Sequence, residues 1–141
     1  LAEDRSASYD EHIKFVSLEV NAGSVERPEA SLKIEMANKI KSIKMNGNGP
    51  IDATFNAIKK LSSTDFKLKL YQVNAITAGT DAQGEVTVRL EDKDLSSQAK
   101  GSDPDIIVAS AKAYINALNR LIFKKSKSIK ENSSHLEIRG V

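Results

Sequence analysis

The stretch "ASLKIEMANKIKSIKMNGNGPIDATFNAI", residues 30–58, combines two patterns that predict different secondary structures. Its first residues alternate between apolar and polar side chains, and the apolar ones are Ala30, Leu32, Ile34 and Met36. Alternation with a period of two is typical of a strand that buries one face. After a glycine-rich turn, apolar residues recur every three or four positions, which is the spacing of a helix. The stretch therefore predicts strands followed by a helix that packs on them.

Two further segments add strands to this pattern. The segment "FVSLEV" lies before the stretch and places Val16, Leu18 and Val20 on one face. The segment "KIKSIKM" lies inside it and places Ile43 and Met45 on one face. Together with the alternating segment they give three strands in a row, so the first unit reads strand, strand, strand, helix.

Both predicted helices begin at a proline. Pro50 opens the first and Pro104 the second, and proline is favoured at the first helical position because its missing N–H would have no partner there. Each helix carries one apolar stripe. The stripes are Ile51, Phe55, Ile58 and Leu61 in the first helix, and Ile107, Ala111, Tyr114, Leu118 and Leu121 in the second.

The unit occurs twice in the chain. Gly47 matches Gly101 and Pro50 matches Pro104, each at an offset of 54 residues (101 − 47 and 104 − 50). The alternating strands match at the same offset, but the first strand slips by one residue. The predicted fold class is therefore α+β, with two pseudo-symmetric βββα units whose antiparallel three-stranded sheets pack with two helices.

Length and charge suggest how the chain is divided. A chain of 141 residues fits one domain, and we expect that domain at 13–123, built from units at 13–62 and 66–123. Residues 1–12 are polar and read as a linker, and 124–141 read as a basic, flexible tail of low order. Because the chain starts with leucine, we interpret it as part of a longer protein.

Composition excludes several classes of function. The chain has no cysteine, which excludes disulfides and thiolate metal sites and leads us to expect a cytoplasmic protein. The net charge is only +2, and its basic excess is concentrated at 124–130, so we expect no nucleic-acid partner for the folded part. We see no apolar run near the roughly 20 residues that span a bilayer, so we expect no membrane partner.

The glycine-rich turn before the first helix has two interpretations. It could be a tight connection that needs positive φ, a conformation that glycine and asparagine tolerate. It could instead hold a small carboxylate ligand on the N–H groups of the helix start. A phosphate-binding loop is disfavoured, because the Lys-Ser/Thr pair of that motif is missing. Asp52, in the first helical turn, either stabilises the helix dipole or faces a ligand ammonium group.

Two other segments are candidates for binding. The strand around Tyr71 carries apolar residues on both faces, so it is either buried on both sides or turned on one side toward a partner subunit or an apolar ligand. The loop at 76–86 is longer than a hairpin requires, which suggests a binding loop as well as a simple turn. Catalytic residues are not evident, since His12 and His135 lie near the two ends and no nucleophile–base pair stands out.

Several motifs in order resemble the C-terminal regulatory domain of 2-isopropylmalate synthase. They are "FVSLEVNAGSVERPEASLKI", "GNGPIDATFNAI", "LYQVNAITAGTDAQGEVTVRL" and "DIIVASAKAYINALNRL", and the resemblance covers about residues 13–122. The resemblance implies a homodimer of βββα pairs that binds leucine and regulates its own catalytic domain. It also implies that catalysis and a divalent metal belong to a separate barrel, so that this chain holds no cofactor. A similar regulatory domain, in citramalate synthase, implies isoleucine as the alternative effector.

The resemblance also implies which residues bind the effector. In that family the pocket draws on the glycine turn, the helical turn after it, the tyrosine-bearing strand and the loop that follows, with a weaker contribution from the start of the second helix. At matching positions these residues are Gly47, Asn48, Gly49, Pro50, Ile51, Asp52, Ala53, Leu68, Tyr71, Ala75, Gly79, Thr80, Asp81, Ala82 and Ile106, with Asp105 beside the last.

The second copy of the turn differs from the first in its charge. Asp103 stands where the first copy has Gly49, and its carboxylate would repel a carboxylate ligand, so we expect the second copy to be the weaker site. Two other classes of function remain as alternatives: a small stand-alone enzyme, and an RNA-binding domain that uses the basic segment at 124–130.

Overall fold

The computed structural model describes residues 11–23, 26–76 and 82–139, and the side chains of 75, 76 and 130–139 lie outside that description. Two antiparallel sheets have the strand orders β1-β2-β3 and β4-β5-β6, and a helix follows each. The predicted pair of βββα units is therefore confirmed. In chain order the elements are β1 (Ile13–Asn21), β2 (Glu29–Met36), β3 (Lys39–Asn46), α1 (Pro50–Ser62), β4 (Lys67–Ile76), β5 (Gly84–Asp92), β6 (Leu95–Asp103) and α2 (Ile106–Arg139).

One apolar core joins the two units. Helix α1 packs on β2 and β3, α2 packs on β5 and β6, and the two helices contact each other. The central strands carry the alternation that the sequence predicted, so their inward side chains lie under the helices. Fully buried core side chains include Leu32, Ile34, Ile58, Val86, Val88, Leu90, Tyr114, Leu118 and Leu121.

Irregular pairing in the first strand of each unit explains why the repeat slips there. In β1 the register shifts between Phe15 and Ser17. An extra residue in one strand moves the residues after it to the face opposite to the one that strict alternation would give them. Val16 is consequently 44% exposed, and its predicted place on the same face as Leu18 was wrong. Strand β4 has two such shifts, one of them between Leu68 and Leu70, so the two first strands do not align at a constant offset.

Helix α2 begins later than predicted. It starts at Ile106, not at Pro104, and Asp105 is its N-cap and not a residue of its first turn. The Asp105 carboxylate accepts a hydrogen bond from the Ile107 N–H at 2.8 Å. An aspartate at the N-cap satisfies one of the helix-start donors, which explains the later start.

Helix α2 also continues past residue 124, where the sequence analysis placed the beginning of a tail of low order. The Lys125 ammonium lies 2.7 Å from the Asp92 carboxylate and 5.2 Å from the centre of the Phe66 ring. The Lys124 ammonium donates to the carbonyl of Ser96. These contacts attach the basic segment to the second sheet and to the connection that precedes this sheet. The first turn of the basic segment is therefore part of the domain.

Within Ile106–Ile129 an 18-residue window is apolar enough by composition to cross a membrane, with a mean hydropathy of 1.2. This corrects the expectation that no such run exists. Of that window 56% is buried inside the domain, because α2 covers β5 and β6. Such burial is the arrangement of a core helix.

A buried amide ties the start of β1 to the helix of the other unit. The Ile13 N–H donates to Asn119 Oδ1 at 2.9 Å, and Asn119 Nδ2 donates to the Ile13 carbonyl at 2.8 Å. Both residues are at most 3% exposed. This contact was not predicted, because the asparagine is one of several polar residues in the helix and no motif surrounds it.

Candidate functional site

The two glycines of the first turn have different roles. A Cβ at Gly47 would lie 2.3 Å from the backbone nitrogen of Ala53, so this glycine lets the end of β3 approach α1 closely. A Cβ at Gly49 would meet nothing within 4 Å, and its backbone is extended, with φ −157°. Asn48 is not in the positive-φ region either. No residue of the turn has positive φ, so that part of the interpretation was wrong, while the close approach at Gly47 fits a tight connection.

Polar contacts hold the turn together at Asn48. Its N–H donates to the Asp52 carboxylate at 2.8 Å, and its side-chain oxygen accepts from the Arg27 guanidinium at 3.4 Å. The same carboxylate accepts from Asn56 Nδ2 at 3.5 Å. Asp52 thus has partners inside its own turn. Sequence analysis missed Arg27, which lies in the connection between β1 and β2.

The starts of the two helices differ in how their N–H groups are satisfied. Gly49 is the N-cap of α1 and provides no side-chain cap. At α2 the Asp105 carboxylate is the cap, while Asp103 accepts from the Asp105 N–H at 3.0 Å and pairs with Lys112 at 2.9 Å. The chain's own carboxylates therefore occupy the second helix start, whereas the first has no side-chain cap.

Electrostatics support the charged form of Asp103. Desolvation by burial acts to raise the pKa of this carboxyl, but the hydrogen bond from the Asp105 N–H and the Lys112 ammonium together hold it below its ordinary value. An aspartate is ionised at neutral pH even at its ordinary pKa, and the lowered pKa extends the ionised form to more acidic solutions. The second helix start thus carries a negative charge at neutral pH.

Tyr71 lies where the two units meet. Its ring is 5.7 Å from the ring of Phe55 in α1, centre to centre, in an edge-on arrangement, and Phe55 is 4.6 Å from the ring of Tyr114 in α2. The Tyr71 hydroxyl oxygen is 2.8 Å from Ser110 Oγ, and Ser110 donates to the Ile106 carbonyl at 2.8 Å. The structure thus brings two of the predicted residues, Tyr71 and Ile106, together through a serine that the sequence analysis missed.

The remaining predicted residues fall into three groups. Ala53 is fully buried beside Gly47 and Ile51 is half-buried against the core, so both pack α1 onto the domain. Leu68 in β4 and Ala82 before β5 are exposed. Ala75 lies in β4, but its side chain is outside the described residues, as are Gly79, Thr80 and Asp81.

Strand β4 is not buried on both faces. Leu68 is 44% exposed and Val73 is 43% exposed, so that interpretation of the strand was wrong.

The connection between β1 and β2 borders a cavity of about 650 Å³ near the glycine turn, and none of the predicted residues lines it. Among the described residues no group of three or more His, Asp or Glu is placed to hold a metal ion.

These features define an α+β domain made of a duplicated βββα unit whose two helix starts have diverged. Residues 1–122 match the family described as the LeuA allosteric (dimerisation) domain. The chain belongs to this family, as the sequence motifs indicated.

Curated relatives support the same assignment. The chain is 43% identical to a 2-isopropylmalate synthase of Rhodopseudomonas palustris (strain TIE-1) over 140 residues, which are 99% of this chain and 27% of the relative. It is 48% identical to a 2-isopropylmalate synthase of Bradyrhizobium diazoefficiens over 125 residues, which are 89% of this chain and 24% of the relative. The chain thus spans about a quarter of the length of the curated relatives it matches.

Proposed function

We propose that this chain is the allosteric and dimerising part of a 2-isopropylmalate synthase, and that it binds leucine to inhibit the enzyme. One observation carries the proposal. In a chain of this family, the start of α1 has no side-chain cap, and there is open space around the position where Gly49 would carry a Cβ. The inhibited reaction is the condensation of acetyl-CoA with 2-oxoisovalerate in cytoplasmic leucine biosynthesis. Because the relatives are about four times longer, the catalytic domain and its divalent metal belong to another part of such an enzyme.

The chemistry of leucine suits the residues around this turn. Its carboxylate would be held by first-turn N–H groups of α1, where the helix dipole favours negative charge. Its branched tail would contact apolar side chains such as Ile51 and Leu68. Asp52 and the loop with Gly79, Thr80, Asp81 and Ala82 would complete the pocket near the ammonium group.

A second copy of the chain would cover the apolar surface of β4. Leu68 and Val73 are both more than 40% exposed, and a second copy packed on β4 would remove both apolar side chains from water. We therefore place the homodimer contact on this strand, with the effector close to it. Isoleucine, as in citramalate synthase, is the alternative effector, since one methyl shift in an apolar pocket is worth only about 1–3 kcal/mol.

Leucine is expected to raise the melting temperature of the chain, because it binds the folded state and not the unfolded one. At a free concentration 100 times the Kd, one site adds about 2.7 kcal/mol to the free energy of unfolding. For a domain of this size that corresponds to a shift on the order of 5–10 °C. Differential scanning calorimetry with millimolar leucine or isoleucine measures it. A shift with isoleucine alone would transfer the assignment to the citramalate synthase branch.

A further inference from the structure

Side chains of helix α2 cover the outer edge of strand β6. Asn116 donates to the Lys100 carbonyl at 2.8 Å, and Arg120, one helical turn later, donates to the Gln98 carbonyl at 2.7 Å. Lys124 continues the row by another turn. The main-chain groups of alternate β6 residues therefore point away from β5 and into this row of donors.

The same alternation shows which residues of β4 point outward. In an antiparallel pair, residues whose N–H and C=O groups face the neighbouring strand alternate with residues whose groups face away from it. Gln98 faces away from β5, so its partner Arg89 directs its own groups toward Leu70 of β4. The other pairs of β4 and β5 have the opposite orientation, and their β4 residues face the free edge of the sheet. These residues are Leu68, Tyr71 and Val73.

The outward groups of β4 lack the cover that the other edges have. Asn119 satisfies both main-chain groups of Ile13 in β1, and Asn56 donates to the Asn46 carbonyl in β3 at 3.1 Å. In the part of the chain that the structure describes, no side chain is bonded to an outward N–H or C=O of β4. A strand edge with such unpaired groups and exposed apolar side chains is a template for another strand.

We infer that β4 of a second copy pairs with this edge through main-chain hydrogen bonds, so that two three-stranded sheets become one sheet of six strands. The inference rests on the dimer of the proposed function and specifies how its subunits join. A two-fold axis perpendicular to the sheet makes the two β4 strands antiparallel. Charge favours this direction, because Lys67 and Lys69 lie in the first three residues of β4 and would face the uncharged end of the partner strand.

Val73→Pro tests this pairing. It removes an outward N–H and none of the bonds between β4 and β5, and proline is tolerated in edge strands at positions of this kind. Because the two-fold axis repeats the change, the dimer should dissociate at least about tenfold more readily. A contact through side chains alone would weaken far less, since proline keeps an apolar side chain of similar size. Analytical ultracentrifugation over a concentration series measures the dissociation constant.

Gln98→Pro is the matched control. It removes an outward N–H from the β6 edge that α2 already covers, so it should leave the dissociation constant unchanged. Urea unfolding shows whether both variants fold. If Val73→Pro does not fold, hydrogen exchange of wild type replaces it. The Tyr71 and Val73 amides should exchange at least about tenfold more slowly above the dissociation constant than below it.

The outcomes separate this inference from the proposed function. An unchanged dissociation constant of a folded Val73→Pro variant would overturn the pairing and leave leucine sensing intact, as would fast exchange of the two amides in the dimer. Equal weakening by Val73→Pro and Gln98→Pro would also overturn it, because the effect would then not be specific to the β4 edge. If wild type stays monomeric, the proposed dimer fails together with this inference, and a leucine titration still tests sensing on its own.

Discussion

Gly47→Ala is expected to destabilise the fold strongly, whereas Gly49→Ala, two residues away, leaves it nearly unchanged. A Cβ at Gly47 would lie 2.3 Å from the Ala53 nitrogen, and neither backbone segment can move without separating β3 from α1. Overpacking of a core commonly lowers the free energy of unfolding by about 1–3 kcal/mol. We expect a clash with backbone atoms to lie at the upper end of this range. At Gly49 there is open space and an extended backbone, so we expect a change below about 1 kcal/mol.

Urea unfolding of the two variants beside wild type measures this difference. Gly101→Ala is the matched variant in the second unit, because its Cβ would lie 2.4 Å from the Ala113 nitrogen, and it should behave like Gly47→Ala. If Gly47→Ala and Gly49→Ala have similar unfolding midpoints, the close approach of β3 and α1 is not the reason for glycine at position 47.

Gly49→Asp is expected to abolish the response to leucine while the protein stays folded. The new carboxylate would stand next to that of the ligand, and at about 4 Å and an effective dielectric near 20 two like charges repel by roughly 4 kcal/mol. Even a third of this energy weakens binding about tenfold. The substitution would also cap α1 from its own side chain, as Asp105 does at α2, so the ligand would lose donors as well.

Stability should not suffer from this change, since aspartate is a favoured N-cap residue and nothing lies within 4 Å of a Cβ at Gly49. Gly49→Asn is the matched control, because it adds nearly the same volume without the charge. Leucine titrations and circular dichroism of both variants provide the comparison. A folded Gly49→Asp variant with wild-type leucine affinity would remove this turn from the effector site.

The fold could be predicted from sequence because its main signals are local. Alternation in β2 and β5 and the stripes of α1 and α2 are periodic patterns that burial confirms. Errors occurred where one residue changes the pattern. The bulge after Phe15 reversed a face of β1, and Asp105 capped a helix that Pro104 was expected to open. Both the bulge and the cap depend on hydrogen bonds, which the periodicity of side chains does not reveal.

The candidate site was predictable only in part, because its geometry depends on contacts between distant parts of the chain. The turn and Tyr71 were proposed through motifs, and their place in an effector site stays a prediction. Ser110 and Arg27 were missed, since each acts through a partner at least 21 residues away, and Asn119, which belongs to the fold and not to the site, was missed for the same reason. A polar residue on the buried stripe of α2 was the one available signal for Ser110 and Asn119, because buried polar groups are nearly always hydrogen-bonded.

The most direct test of leucine sensing is isothermal titration calorimetry of the wild-type chain with leucine, isoleucine and valine in parallel. We expect saturable binding of leucine at one site per protomer, because the second helix start is filled by Asp103 and Asp105, and weaker binding of the other two amino acids. No heat of binding with leucine at millimolar concentration, from a chain shown to be folded, would contradict it.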